Sequence, residues 1–199
     1  MKLVRLQPAD LPIETRALAK ALLGHVLVRE TDEGLTAGTI VETEAYLPGD
    51  PACHAFSGKT ARNATLFGPP LRSYVYQIYG TSYCFNLSSE AEGEGAGVLV
   101  RALEPIKGLE IMRERRSTSI ERDLCRGPGR LCRALAIDRS LDGIDLSAHP
   151  HLWLAEAQEF PMRVRSSRRI GVTRAAERRL RFYAAGNPYV SGPARLNPS

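Results

Sequence analysis

The residues best suited to chemistry in this chain fall into four clusters. Glu44 and Tyr46 stand two apart within Val41-Glu42-Thr43-Glu44-Ala45-Tyr46. On a strand, whose side chains alternate with a period of two, both would point to the same face. A carboxylate held beside an aromatic ring could take a proton from water as a general base; an exposed acid on an edge strand would give the same pattern. The stretch 52–63 mixes the imidazole of His54 with Lys59, Arg62, Asn63 and small residues. That composition suits a grip on a nucleobase and a phosphate, and also suits an ordinary solvated loop. Tyr74, Tyr76 and Tyr79 lie within six residues, with Tyr83 and Phe85 beyond Gly80. Aromatic side chains at a β-turn stack on bases or wedge between them. Cross-strand packing explains Tyr74 and Tyr76 equally well, but not Tyr79, which has little core to enter at a turn. Finally, Gly127-Pro128-Gly129-Arg130 reads as a loop running into a helix. Free backbone N–H groups and the helix dipole favour an anion there, although no Walker-type lysine follows and a plain junction would read alike.

The elements that must position these groups follow from periodicity and punctuation. Residues 10–23 read as a helix capped by Asp10 and stopped by Gly24. Residues 25–29 and 35–47 read as strands, the second carrying Glu44 and Tyr46. Proline and glycine punctuate 48–70 as a long loop. Two aromatic β-runs around Gly80 make 73–87 a hairpin with Tyr79 beside its tip. A strand over 97–103 carries Arg101. Residues 105–116 read as a helix with its proline near the start, 117–126 as a polar, mobile segment, 127–136 as a helix, and 180–184 as a late strand. The expectation is one domain over residues 1–199.

Composition narrows the partners. The 23 arginines outnumber the four lysines, and residues 101–199 hold 19 Lys+Arg against 11 Asp+Glu. Guanidinium suits bidentate phosphate contact, so a nucleic acid is the first candidate partner. Cys53, Cys84, Cys125 and Cys132 form no C-x-x-C pair and no metal-ligand spacing with the four histidines, so buried reduced thiols, no metal and a reducing cytoplasm are expected. No apolar run approaches the ~18 residues of a membrane span, and residues 1–19 lack the apolar core of a signal peptide.

Taken together and in order, the pieces resemble the alkyladenine (3-methyladenine) DNA glycosylase family. The matching stretches are Val41–Tyr46, His54, Thr60-Ala61-Arg62-Asn63, Tyr74–Gly80, Cys84–Ser89, Val98–Pro105, Gly127–Cys132 and Arg181-Phe182-Tyr183, spread over about residues 10–192. The resemblance implies an α+β fold: a single mixed domain with a curved antiparallel sheet, surrounding helices and a protruding, DNA-intercalating β-hairpin. It implies no cofactor, a monomer, and double-stranded DNA with damaged purines as the partner, in the cytoplasm or on the nucleoid. By the same resemblance, Glu44 activates the hydrolytic water and Arg101 helps place it. Tyr46, His54 and Tyr76 wall the flipped base, Asn86 crowds a purine 2-amino group, and Tyr79 fills the gap in the duplex. Arg62, Asn63, Gly127 and Arg130 are expected on the DNA backbone. With only Lys2, Lys20, Lys59 and Lys107 present and none in the Glu44 or Tyr79 clusters, hydrolysis without strand cleavage is favoured over an amine-mediated lyase. Two rivals drop this chemistry: a non-catalytic architectural DNA binder that keeps the wedge and the Arg-rich half, and an RNA-binding or formyltransferase-like domain, which a mixed sheet with a basic surface also serves.

Overall fold

The computed structural model describes residues 2–157 and 163–197. Its organising element is strand β2 (Gly34–Tyr46), thirteen residues of which ten are buried. Its threonine, isoleucine and valine content suits a strand packed on both faces. One edge of β2 pairs with β5 (Gly97–Lys107). Along the other edge, β1 (Val26–Thr31) takes residues 34–39 and β8 (Arg181–Ala184) takes residues 42–44. The remaining strands are β3 (Ser73–Ile78), β4 (Ser82–Ser88), β6 (Leu152–Ala155) and β7 (Val164–Ser167). They extend the sheet in the order β3-β4-β5-β2-β1-β6, with β7 added to β8; every pairing is antiparallel. The sheet curls into a half-barrel. Irregularities between Ile40 and Thr43 leave Arg101 without a ladder partner, since Thr43 faces Val100 and Glu42 faces Ala102. Such bulges bend a strand and re-aim a side chain, here beside Glu42 and Glu44.

The helices cover the main core. Leu18 and Leu22 from α1 (Thr15–Ala21) and its end join Leu131 and Leu135 from α3 (Pro128–Ala134) and its end, with Phe85, Leu87 and Leu103 of the sheet. Each fully buried side chain of this kind contributes about 1.5–3 kcal/mol. The third α-helix is α2 (Leu109–Arg116).

Several sequence expectations shift. The first helix is capped by Glu14, whose carboxylate accepts from the N–H of Arg16 and Ala17 at 3.0 and 2.6 Å. Asp10 belongs instead to a separate 3-10 turn, Pro8–Asp10. Leu11 is extended, as residues before proline are, so the helix could not run through Pro12. Pro105 lies within β5 opposite Gly38, beyond the part of β5 that β4 covers, and the helix begins only at Leu109. A proline costs least where one edge of the strand needs no ladder donor. The 117–126 segment, expected to be mobile, holds the fully buried Leu124 and Cys125 and a 3-10 turn over Glu121–Asp123. Strands β6 and β7 have no counterpart in the sequence reading. The hairpin, β1, β2 and β8 lie where the sequence placed them to within a residue or two.

Candidate active site

At the C-terminal end of β2, Glu42, Glu44 and Tyr46 share a face, and both carboxylates are fully buried. Arg101 joins them: its Nε donates to Glu42 Oε1 at 3.2 Å and its Nη1 to Glu44 Oε2 at 3.4 Å. Burial alone would lower the Arg101 pKa, but Glu44 and Glu42 more than offset it and hold the guanidinium above its ordinary value. Glu42 is further bound by Arg181 Nε at 2.6 Å and by the N–H and Oγ of Ser191 at 2.6 and 3.0 Å. Glu44 has different company. Its Oε1 accepts from the Ile170 N–H at 2.8 Å and its Oε2 from the Tyr46 hydroxyl at 2.9 Å. A carboxylate offers about four lone-pair positions, so these three donors fix its orientation and leave capacity for a water.

Tyr46 connects this network to a cavity of about 190 Å³, whose walls include His54, Tyr74, Tyr76, Asn86 and Gly97. That is below the roughly 300–1,000 Å³ of drug-sized pockets and suits a single ring system. The His54 ring meets Tyr76 edge-on with centroids 4.4 Å apart, and its Nδ1 lies 3.1 Å from the Tyr74 hydroxyl. Burial, and then the charge of Arg62, push the His54 pKa down, so its imidazole is neutral near pH 7. Burial also raises the tyrosines: Tyr74 to about 12, and Tyr46 and Tyr76 well above their usual value, Tyr46 with help from Glu44. All three therefore remain hydrogen-bond donors. Asn86 spends its amide nitrogen on the carbonyl of Tyr74 at 3.0 Å. Glu44 and Arg101 do not themselves line the cavity; Glu44 lies one hydrogen bond away through Tyr46.

Tyr79 stands at the hairpin tip, 94% exposed, with both it and Gly80 at positive φ. Between the tip and α3 runs a groove of about 780 Å³ that Arg116, Arg126, Arg130 and Arg133 line. Burial and then the nearby Arg130 and Arg133 lower the Arg116 pKa, so these cations lie within repulsive reach of one another. Asp123 offsets Arg130 at 3.0 Å.

Two residues expected on the DNA backbone have partners within the protein. Asn63 is buried, and its amide is fully used inside its own loop. It donates to the carbonyls of His54 and Gly58 at 2.8 and 3.0 Å and accepts from Thr60 N–H and Oγ1 at 2.6 and 3.0 Å. It therefore shapes the loop that carries His54 and has nothing left for a phosphate. Gly127, at φ 137°, donates its N–H to the Cys125 carbonyl at 3.0 Å, and Pro128 has none to give, so this junction offers fewer free donors than its sequence suggests. Arg62 is exposed, as a backbone contact requires.

The sequence reading missed Glu42, Arg181, Ser191, Asp50 and Arg169. Glu42 was discoverable, because it precedes Glu44 by two and must share its face. The arginines were not: Arg169 and Arg181 reach partners 119 and 139 residues away. Among the described residues, no group of three or more His, Cys, Asp or Glu side chains could hold a metal, and no helix is long and apolar enough to cross a membrane.

Comparison with known proteins adds an independent line. The profile of methylpurine-DNA glycosylase matches residues 10–188. A protein of Mesorhizobium japonicum with the provisional name 3-methyladenine DNA glycosylase is 53% identical over 188 residues, covering 94% of this chain and 90% of the relative. Relatives of the same provisional name from Rubrobacter xylanophilus and Methanoculleus marisnigri are 47% and 46% identical; they cover 88% and 89% of this chain and 92% and 94% of their own lengths.

Proposed function

The chain belongs to the methylpurine-DNA glycosylase family, enzymes that act on DNA, and on that footing we propose that it flips alkylated or deaminated purines from the duplex and hydrolyses their N-glycosidic bond. The observation that carries this reading is the 2.9 Å hydrogen bond from Tyr46, a wall of the base-sized cavity, to a carboxylate that Arg101 also holds.

A base inside the stack is out of reach of any side chain, so the nucleotide must rotate out. That costs a few kcal/mol, least for a damaged or mispaired base. Tyr79, exposed at the tip, fills the vacated space. Arg62 and the guanidiniums of the groove, Arg130 among them, hold phosphates on either side. In the cavity the base lies among Tyr46, Tyr76 and His54. A 3- or 7-alkylated purine is cationic, which favours the electron-rich tyrosine faces and a neutral His54. Asn86 narrows the space for a 2-amino group and so disfavours guanine.

Water then attacks C1′. The C1′–N bond breaks with its electron pair leaving on the base, the C1′–O bond forms, and Glu44 accepts the proton that the water loses. A cationic purine departs neutral and needs no acid. Neutral hypoxanthine or ethenoadenine must gain a proton from solvent or the pocket as it leaves, so these lesions are cleaved more slowly. Among the described residues no lysine lines the cavity, which favours an intact strand with an abasic site as the product.

The test is excision from duplexes that carry a single 3-methyladenine, 7-methylguanine, hypoxanthine or ethenoadenine, with and without later alkali. Strand breaks that need alkali, on at least one methylated purine, are expected. No excision of any of them, with lesion binding retained, would identify an architectural DNA binder instead. Borohydride trapping of a protein–DNA adduct would replace hydrolysis by amine chemistry.

A further inference from the structure

Arg169 and Asp50 lie outside every motif discussed above, yet both are essentially fully buried. Their side chains form a two-pronged pair, Nη1 to Oδ2 at 2.6 Å and Nη2 to Oδ1 at 3.1 Å. Nη1 also donates to the carbonyl of Ala45 at 3.0 Å, the one residue between Glu44 and Tyr46. The same guanidinium covers the Tyr46 ring, 4.6 Å from its centroid. The next residue along, Ile170, supplies the N–H that holds Glu44 Oε1 at 2.8 Å, and Gly171 and Val172 then line the cavity. On its other side, Asp50 opens the loop that leads to His54: its Oδ1 accepts from the Ala52 N–H at 3.0 Å and its carbonyl from the Cys53 N–H at 2.8 Å.

We propose that the buried Arg169–Asp50 pair is the positioning clamp of this site, locking the Tyr46 wall, the Glu44 carboxylate and the root of the His54 loop into one rigid unit. The proposal rests on the glycosylase reading above. Arginine is required for geometric reasons. One planar fork must meet a carboxylate with two parallel bonds, reach a backbone carbonyl and lay its face on a ring, which the point charge of lysine cannot do. The arrangement leaves the Arg169 Nε buried without a partner among the described residues. An unpaired buried donor is unfavourable, so the fork is aimed at Asp50, the Ala45 carbonyl and the Tyr46 ring, with a longer bond to the Ala175 carbonyl at 3.5 Å, at the expense of its own full satisfaction. The clamp touches no reacting atom. Its effect is on alignment, where a displacement of about 1 Å can cost on the order of 100-fold in rate.

The experiment compares the parent enzyme with a double variant, Asp50→Leu with Arg169→Met. Removing both charges avoids stranding one of them in the interior. Thermal unfolding gives the folded fraction at the assay temperature. Single-turnover excision of 7-methylguanine and hypoxanthine gives the maximal rate and the half-saturating enzyme concentration separately. A clamp predicts a maximal rate per folded molecule lower by about 100-fold for both lesions, with half-saturation changed far less, because the hairpin and the arginine groove still hold the DNA. Arg169→Lys should recover only part of the rate. A rate per folded molecule within about threefold of the parent shows that the pair merely supports the fold and overturns the proposal. If the double variant does not fold, Arg169→Lys is judged by the same threefold criterion. A parent enzyme that excises none of the methylated purines would refute the functional reading itself, which this comparison keeps separate from the clamp.

Discussion

The end of β2 and the tip of the hairpin are built on opposite plans. Around Glu44, three carboxylates and three guanidiniums are buried and bonded: Glu42 to Arg181, Arg101 to both acids, Arg169 to Asp50. At the tip, Tyr79 is almost wholly exposed, and the nearby arginines crowd one another with only Asp123 paired to one of them. The first region meets its own electrostatic needs, and its geometry is set before any substrate arrives. In the second, three of the four guanidiniums bond only to backbone carbonyls and keep their charge without a carboxylate partner among the described residues, and the aromatic ring faces solvent. Preorganised dipoles in a dry site are worth most where charge develops during reaction, whereas capture of a polyanion gains from charge left open to solvent. Under the proposed function the contrast divides chemistry from capture, and each side can be broken separately.

The largest effect should come from the buried side. Glu44→Gln keeps the shape and the Tyr46 and Ile170 contacts within reach, and should lower single-turnover excision by roughly 10²–10⁴-fold while lesion binding persists. Excision within about threefold of the parent would remove Glu44 from the role of base.

The tip should respond differently. Tyr79→Ala loses almost no buried area, so its melting temperature should stay near that of the parent, unlike a core aromatic, whose truncation costs about 3–5 kcal/mol. The loss should show in the flipping equilibrium instead, worth about 1–3 kcal/mol, read by 2-aminopurine fluorescence beside the lesion. A large fall in melting temperature with unchanged flipping would place the wedge elsewhere.

A smaller change is expected from single arginines of the groove. Arg133→Gln should weaken binding to damaged and undamaged duplex alike and reduce the slope of log affinity against log salt by about 0.9. A loss confined to damaged duplex would mean that Arg133 reads the lesion and not the backbone.

The smallest effect is a predicted constancy. Burial raises the pKa values of Tyr46, Tyr74 and Tyr76. The folded protein therefore retains protons that the unfolded chain releases near pH 10. Stability tied to these groups is fully present below that pH and is lost as pH rises through the folded values, about 12 for Tyr74. Because the Tyr46 hydroxyl continues to donate to Glu44, the pH–rate profile should show no alkaline limb from these tyrosines below about pH 10. A limb in that range that Tyr46→Phe abolishes would contradict the burial argument.

The sequence by itself determined the local features. The β-rich composition of 35–47 fixed a strand, and the period of two along it put Glu44 and Tyr46 on one face. The aromatic runs around Gly80 fixed the hairpin and left Tyr79 with no core to enter. The motif order pointed to the family. Each of these rests on interactions between residues close in the chain, where periodicity and turn chemistry leave few alternatives. Tertiary structure decided the rest. Asn63 looked like a surface contact and proved to be the knot of its loop, because its four hydrogen-bond positions are filled by neighbours that only the folded loop brings round it. Pro105 read as a helix start and sits in β5, because the sheet left that edge uncovered. Arg169 carried no local signal, and Arg181 stood in a matching stretch without a role: a guanidinium is assigned to a buried partner by which distant strand and loop the fold brings to it, and the curling of the sheet around β2 makes that choice.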